Sequence, residues 1–154
     1  MDTRYRVEGI LPLRGEVTLS GAKNAALPCM CAALLAAEPV TLRNMPAIAD
    51  VFALLEIFTF LGVRPPFADH TLTVDASSLT PRKIPADLVK RLRASILLLG
   101  PLLARCAEVT MAYPGGDVIG KRPVDAHLDA LVQLGAENRS TDETLHLRGT
   151  IQAG

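Results

Sequence analysis

The spacing of hydrophobic and polar positions along this chain changes several times, and each change indicates a different element. Alternating or short apolar runs predict strands, and apolar runs with helical spacing predict helices. Residues 11–15 separate the first two apolar runs and predict a β-hairpin. The predicted strands cover residues 5–10, 16–20, 40–43, 71–75, 109–112 and 145–148, and the predicted helices cover residues 25–37, 49–61, 87–105 and 123–134.

The helices carry recognisable start and stop signals. Gly62 and Gly135 follow the second and fourth helices, and glycine commonly ends a helix because it accepts a left-handed conformation. Pro123 stands in the first turn of the last helix, where its missing N–H costs nothing. The first helix is apolar nearly all round, so we expect it to be buried on most sides.

The order helix, strand, helix, strand occurs twice, which predicts an internal repeat. Val109 lies 69 residues after Val40 in a similar strand context, and Gly135 lies 73 residues after Gly62 at equivalent helix ends. The difference of four residues predicts an insertion in residues 114–122. The expected organisation is α+β, with an N-terminal hairpin at residues 1–20 and two repeat units at about residues 21–80 and 81–154.

Composition and charge argue against several classes of protein. Sixteen basic and sixteen acidic residues give a net charge of zero, so no overall field favours nucleic acid or an anionic membrane. The longest apolar run, residues 96–104, is too short to cross a bilayer. With no signal-peptide pattern at the start, we expect a cytoplasmic protein. We expect its three cysteines, Cys29, Cys31 and Cys106, to be buried thiols.

Cations stand at the expected starts of two helices. Lys23 and Asn24 precede the first helix, and Arg93 lies 69 residues after Asn24. A helix N-terminus offers unpaired N–H groups and partial positive charge, so a neighbouring cation completes an anion site. The alternative is that Lys23 and Arg93 are solvated charges at helix ends.

The inserted segment combines three glycines with Asp117, Lys121 and Arg122. Such a composition is typical of a loop that closes over a ligand. An ordinary glycine-rich connection is the alternative interpretation.

Three segments together make a specific resemblance. They are SGAKNAALP at residues 20–28, RAS at residues 93–95 and PGGDVIGKRPVDA at residues 114–126. Their order and spacing resemble those of the UDP-N-acetylglucosamine enolpyruvyl transferases, over nearly the whole chain. The related shikimate-phosphate enolpyruvyl transferases share that fold but have a different lysine motif and lack the RPVD segment.

The resemblance implies roles for individual residues. Lys23 and Asn24 match positions that contact phosphoenolpyruvate, and Arg93 matches an arginine near both substrates. Arg122 matches a residue placed toward phosphoenolpyruvate as well as toward the sugar nucleotide. Ala126 stands where the family usually has leucine. The stretch that would meet UDP-N-acetylglucosamine comprises Arg122, Pro123, Val124, Asp125 and Ala126.

Asp117 stands where many members have the loop cysteine that protonates phosphoenolpyruvate, and some members carry aspartate there. A carboxylic acid can donate a proton, although its reference pKa of about 3.9 lies well below the value of about 8.5 for a thiol. Lys121 and Arg122 would lower the pKa of Asp117, whereas a bound phosphate and burial would raise it. The alternative is that Asp117 is a solvated loop residue in a protein without catalysis.

The resemblance implies an inside-out α/β barrel built from three repeated units in each of two domains, of which about two units are visible here. It implies transfer of an enolpyruvyl group from phosphoenolpyruvate to the 3-hydroxyl of UDP-N-acetylglucosamine, without metal or organic cofactor. The family's general base and a further arginine lie outside the matched part, so we expect a longer or two-part enzyme with a separate C-terminal half. A non-catalytic UDP-sugar-binding module and an inactive truncated product are the alternatives.

Overall fold

The computed structural model describes residues 14–115 and 123–151, together with residues 4, 6–9 and 12. The α-helices are α1 (Lys23–Ala33), α2 (Ala49–Phe60), α3 (Ala86–Lys90), α4 (Leu99–Cys106) and α5 (Asp125–Gln133), with a 3-10 helix at Arg93–Leu98. The strands are β1 (Val40–Leu42), β2 (Phe67–Ala68), β3 (Thr71–Val74), β4 (Glu108–Ala112), β5 (Glu137–Asn138) and β6 (Thr144–Arg148).

The strands form two small antiparallel sheets with the same internal order. One sheet runs β1-β3-β2 and the other runs β4-β6-β5. Val40 pairs with Val74 in the first sheet, and Val109 pairs with Leu147 in the second, so the two sheets repeat in register. The sequence analysis missed β2 and β5 because a strand of two residues is too short to have a period.

Helices α2 and α5 end in the same way. Gly62 has φ 91° and Gly135 has φ 103°, a region that side chains other than glycine enter only with strain. The N–H of Gly62 donates to the carbonyl of Thr59 at 3.1 Å, and the N–H of Gly135 donates to Val132 at 2.9 Å. The two glycine stop signals are therefore placed as the sequence predicts.

One apolar core joins the helices to the inner faces of both sheets. Leu72 and Val74 in the first sheet and Leu145 and Leu147 in the second are fully buried in it. The outer sheet faces are polar, as shown by the Thr41 and Thr73 hydroxyls, 3.1 Å apart. Among the described residues, every helix is too short or too polar to cross a lipid bilayer.

The predicted N-terminal hairpin is not formed by the described residues. Residues 6–9 and 14–20 belong to no strand, and Val17 and Leu19 are more than 80% exposed. An isolated two-stranded hairpin is marginally stable in water, and no third strand among the described residues pairs with this segment. The alternating pattern alone was therefore insufficient to produce strands.

The helix predicted over residues 87–105 is divided into three elements. Leu92 is extended, with φ −139° and ψ 116°, and it separates α3 from the 3-10 helix. Pro101 falls in the first turn of α4, which follows the 3-10 helix without a break. The prediction of one continuous helix was wrong because the apolar run does not reveal the break at Leu92.

Helix α1 is buried on one face only, contrary to the expectation from its composition. Leu27, Met30 and Cys31 point into the core, whereas Pro28 and Cys29 are exposed. Cys29 and Cys31 are about 200° apart around a helix, so both cannot face the core. The expectation of three buried thiols was wrong for Cys29, while Cys31 is buried and Cys106 is partly buried.

The three thiols should therefore differ in reactivity. Burial raises the pKa of Cys31 to about 12, against an ordinary value of 9.0, so at pH 8 its thiolate fraction should be about a thousandfold lower than usual. Burial also raises the pKa of Cys106, and neighbouring Arg105 opposes this in part. Iodoacetamide should modify Cys29 first, Cys106 more slowly and Cys31 last, as followed by peptide mass spectrometry.

The same burial gives the stability a definite pH dependence. Because burial raises the pKa of Cys31 in the folded chain, the contribution of this thiol to the free energy of unfolding is fully present below pH 9 and is lost as the pH rises toward 12.

Replacing Cys29 by serine should remove the fast iodoacetamide modification and leave the modification rates of Cys31 and Cys106 unchanged. Rapid modification of Cys31 in the folded chain at pH 8 would contradict this assignment.

Candidate functional site

A cavity of about 360 Å³ lies where α1, α2 and the 3-10 helix begin. Residues in the first turn of each of the three helices line it, and α1 packs directly against both α2 and the 3-10 helix. Its wall is formed by Lys23, Asn24, Leu27, Asp50, Arg91, Leu92, Arg93, Ala94, Ile96 and Leu97. The structure thus brings together Lys23, Asn24 and Arg93, which the sequence analysis selected from positions 69 residues apart.

Lys23 and Asn24 are the first two residues of α1. The Lys23 ammonium forms an ion pair with the carboxylate of Asp50, which lies in the first turn of α2. The Lys23 side chain is 53% exposed and that of Asp50 is 26% exposed. The ammonium is therefore accessible from the cavity while it is held at one side by a carboxylate.

The start of α1 is fixed by a close backbone contact at Gly21. A Cβ atom at this position would lie 1.8 Å from the carbonyl oxygen of Asn44 and 3.2 Å from the ring of Pro46. The turn that presents this carbonyl is itself held, because the N–H of Met45 donates to His70 at 2.8 Å. Only glycine fits here without moving the backbone, which explains the glycine in the motif before Lys23.

Arg93 begins the 3-10 helix directly after the extended Leu92. Its Nη2 donates to the carbonyl of Pro123 at 3.4 Å, so this arginine joins the cavity to the residues just before α5. Ser95 is completely buried, and its hydroxyl lies 2.7 Å from the carbonyl of Leu92. The serine of the RAS segment therefore stabilises the turn that presents Arg93.

The start of the glycine-rich segment lies against the same turn. A Cβ atom at Gly115 would lie 1.9 Å from the carbonyl oxygen of Lys90, so only glycine fits at this position without a shift of the backbone. Lys90 ends α3, two residues before Leu92. Residues 90–93 thus contact the chain on both sides of the glycine-rich segment, at Gly115 and at Pro123.

The predicted sugar-nucleotide stretch lies partly in the core. Val124 is buried, so any contact of this residue with a ligand would be made by its main chain. Pro123, Asp125 and Ala126 are exposed, and Asp125 is the first residue of α5. Asp117, Lys121 and Arg122 lie outside the described residues.

The electrostatics of the cavity favour an anion. Lys23, Arg91 and Arg93 line it with one carboxylate, that of Asp50. The hydrogen bond from Arg91 to Glu56 raises the pKa of Arg91, so this guanidinium stays charged. The starts of α1 and α2 add the partial positive charge of a helix N-terminus at the same place.

Asp50 and Arg91 were missed by the sequence analysis. Asp50 lies in the first turn of α2, as Asp125 does in α5, so the internal repeat contained a signal for it. Arg91 had no such signal. Within the part of the chain that the structure describes, no three histidine, cysteine or acidic side chains are grouped as a metal ion would require.

The chain is similar to known proteins in sequence and in structure. The family described as EPSP synthase (3-phosphoshikimate 1-carboxyvinyltransferase) matches residues 7–153. A UDP-N-acetylglucosamine 1-carboxyvinyltransferase from Nitratidesulfovibrio vulgaris is 50% identical over 130 residues, which are 84% of this chain and 31% of that protein. The chain therefore spans about a third of the length of this relative.

Solved structures show the same architecture. The enolpyruvyl transferase NikO from Streptomyces tendae matches with a TM-score of 0.77 and 31% identity, over 89% of this chain and 30% of that one. The EPSP synthase from Acinetobacter baumannii matches with a TM-score of 0.64 over 90% of this chain and 32% of that one. At 20% identity the second similarity concerns the fold alone. By sequence and by fold, the chain belongs to the EPSP synthase family of enolpyruvyl transferases.

Proposed function

We propose that this chain supplies part of the active site of a UDP-N-acetylglucosamine enolpyruvyl transferase, acting in the cytoplasm within a longer or two-part enzyme. The reaction adds the sugar 3-hydroxyl to C2 of phosphoenolpyruvate, protonates C3 and then releases phosphate. It is the first committed step of peptidoglycan precursor synthesis. The two sheet units would be two of the three units of an inside-out barrel.

One observation carries the proposal: the cavity that joins Lys23, Asn24 and Arg93 at the starts of helices. Phosphoenolpyruvate carries a phosphate and a carboxylate, and charge-assisted hydrogen bonds from lysine and arginine are the strongest that such groups receive. Cations held in place before the reaction also stabilise the charge that develops as phosphate leaves. The 50% identity to a UDP-N-acetylglucosamine 1-carboxyvinyltransferase supports this substrate over shikimate 3-phosphate.

The proposed roles follow the resemblance. Lys23, Asn24 and Arg122 bind phosphoenolpyruvate, and Asp117 donates the proton to C3. Arg93 lies near both substrates and binds UDP-N-acetylglucosamine, a role that its hydrogen bond to Pro123 supports. The sugar nucleotide contacts Arg122, Pro123, Val124, Asp125 and Ala126.

The function can be tested in an enzyme completed by joining this chain to the C-terminal two thirds of the Nitratidesulfovibrio vulgaris relative. We expect phosphate release with phosphoenolpyruvate and UDP-N-acetylglucosamine, and none with shikimate 3-phosphate. The 154-residue chain alone should release no phosphate, because the family's general base lies outside the part that it matches.

Three results would contradict different parts of the proposal. Phosphate release that depends on shikimate 3-phosphate would assign the other substrate class. Binding of UDP-N-acetylglucosamine by the completed enzyme without any turnover would instead support a non-catalytic binding module. Turnover by the 154-residue chain alone, above a no-enzyme control, would show that the base lies within it.

A further inference from the structure

Asp50 is the acidic side chain among the described residues that line the cavity. A carboxylate in a cavity that favours anions opposes the binding of a negatively charged ligand through direct repulsion. Its presence there therefore calls for a compensating contact. That contact is the ion pair with Lys23.

The position of Asp50 is also one that a ligand anion would favour. It lies in the first turn of α2, where the partial positive charge of the helix stabilises a carboxylate, and it meets the Lys23 ammonium at the start of α1. The two features that would attract phosphate or carboxylate from solution are thus already in contact with an internal carboxylate. An incoming anion has to share Lys23 with Asp50 or replace it.

The second unit shows a related arrangement. Arg93, at the start of the 3-10 helix, donates to the carbonyl of Pro123 just before α5 begins at Asp125. In both units, a cation at a helix start contacts the beginning of a later helix. The second contact reaches a backbone carbonyl, whereas the partner of Lys23 in the first unit is a carboxylate.

We propose that Asp50 is a positioning residue for Lys23: its carboxylate holds the ammonium at the cavity in the empty protein and releases it to the phosphate or carboxylate of the ligand. This inference rests on the proposed function, because it takes phosphoenolpyruvate as the anion. Asp50 does not need to touch the ligand. It sets where the Lys23 ammonium lies in the empty protein and how tightly the anion binds.

The test uses the 154-residue chain, which has four lysines, with each lysine carrying ¹³C-dimethyl groups that keep the charge. A Lys23→Arg variant assigns the Lys23 signal. Phosphoenolpyruvate should shift that signal in the unaltered chain. In Asp50→Asn, the Lys23 signal should move before any ligand is added, and phosphoenolpyruvate should bind about two- to fivefold more tightly, the factor expected when a partly exposed ion pair no longer competes.

Three variants separate positioning from a structural role. Asp50→Glu keeps the charge and should restore the affinity of the unaltered chain. Asp75→Asn removes one charge from an exposed turn outside the cavity and keeps its acceptor for the N–H of Ser77, so it should change neither the signal nor the affinity. In a Lys23→Met background, Asp50→Asn should tighten binding less than it does in the unaltered chain, because the relief of direct repulsion remains while the ion pair that couples the two residues is gone.

The outcomes distinguish this inference from the proposed function. If phosphoenolpyruvate shifts Lys23 but Asp50→Asn leaves the affinity unchanged or weakens it, the positioning role is overturned and the proposed function stands. If phosphoenolpyruvate shifts the Lys23 signal in no variant, the positioning role is overturned, whereas the proposed function is decided by phosphate release from the completed enzyme. Unchanged circular dichroism in Asp50→Asn, or else the Asp50→Glu result, excludes a folding defect as the cause.

Discussion

Replacing Asp117 by asparagine in the completed enzyme is expected to lower kcat at least about a hundredfold, the usual scale for loss of a general acid. An amide has the shape of the carboxyl group but cannot donate the proton that C3 of phosphoenolpyruvate requires. Asp117→Cys should keep activity, because the thiol is the group that many family members use there. Initial rates of phosphate release measure both effects.

The pH dependence gives an independent check of the same role. A carboxyl group has to hold its proton against a reference pKa of about 3.9, compared with about 8.5 for a thiol. The Asp117 enzyme should therefore lose activity at lower pH on the alkaline side than the Asp117→Cys variant. Full activity in Asp117→Asn with an unchanged pH profile would remove Asp117 from the mechanism.

The antibiotic fosfomycin, which alkylates the loop cysteine in this family, should not inhibit the Asp117 enzyme and should inhibit Asp117→Cys. The exposed thiol of Cys29 could also be alkylated, and that reaction would be independent of the loop residue. The comparison should therefore be made in a Cys29→Ser background. Asp75→Asn provides a control for the charge change at a site outside the cavity.

Replacing Gly21 by alanine is expected to destabilise the chain by about 1–3 kcal/mol, the usual cost of an overpacked position. The added Cβ would lie 1.8 Å from the carbonyl oxygen of Asn44, which is backbone and cannot rotate away. The start of α1 has to move, and it carries Lys23 with it. Phosphoenolpyruvate binding should therefore weaken together with stability, as measured by urea unfolding and by titration.

Gly100→Ala is the matched control for this prediction. Gly100 lies inside α4, and a Cβ atom there would meet nothing within 4 Å. Alanine is favoured over glycine within a helix, but the ring of the following Pro101 disfavours a helical residue with a Cβ before it, so this variant should change the free energy of unfolding by less than about 1 kcal/mol. Equal stability of Gly21→Ala and the unaltered chain would show that the close contact with Asn44 is not a constraint.

Much of the secondary structure could be predicted because its signals are local. The helices predicted at residues 49–61 and 123–134 and the four strands predicted after residue 39 are confirmed to within two residues at each end. Gly62 and Gly135 marked helix ends because only glycine accepts the required φ without strain. The break at Leu92 was missed because the apolar run does not reveal it, and the strands β2 and β5 were missed because two residues are too short to show a period.

For the candidate site too, local signals could be predicted from the sequence and long-range contacts could not. The sequence by itself determined that Lys23 and Asn24 stand at a helix start and that the motifs around Lys23, Asn24 and Arg93 are those of an enolpyruvyl transferase, since motif order and helix signals are properties of neighbouring residues. The break at Leu92 that makes Arg93 the first residue of the 3-10 helix came only from the structure. Only the tertiary structure decided that these side chains share one cavity, that Asp50 forms the ion pair with Lys23 and that Cys29 faces outward. Those facts depend on how α1, α2 and the 3-10 helix pack, and packing is set by contacts between residues far apart in the chain.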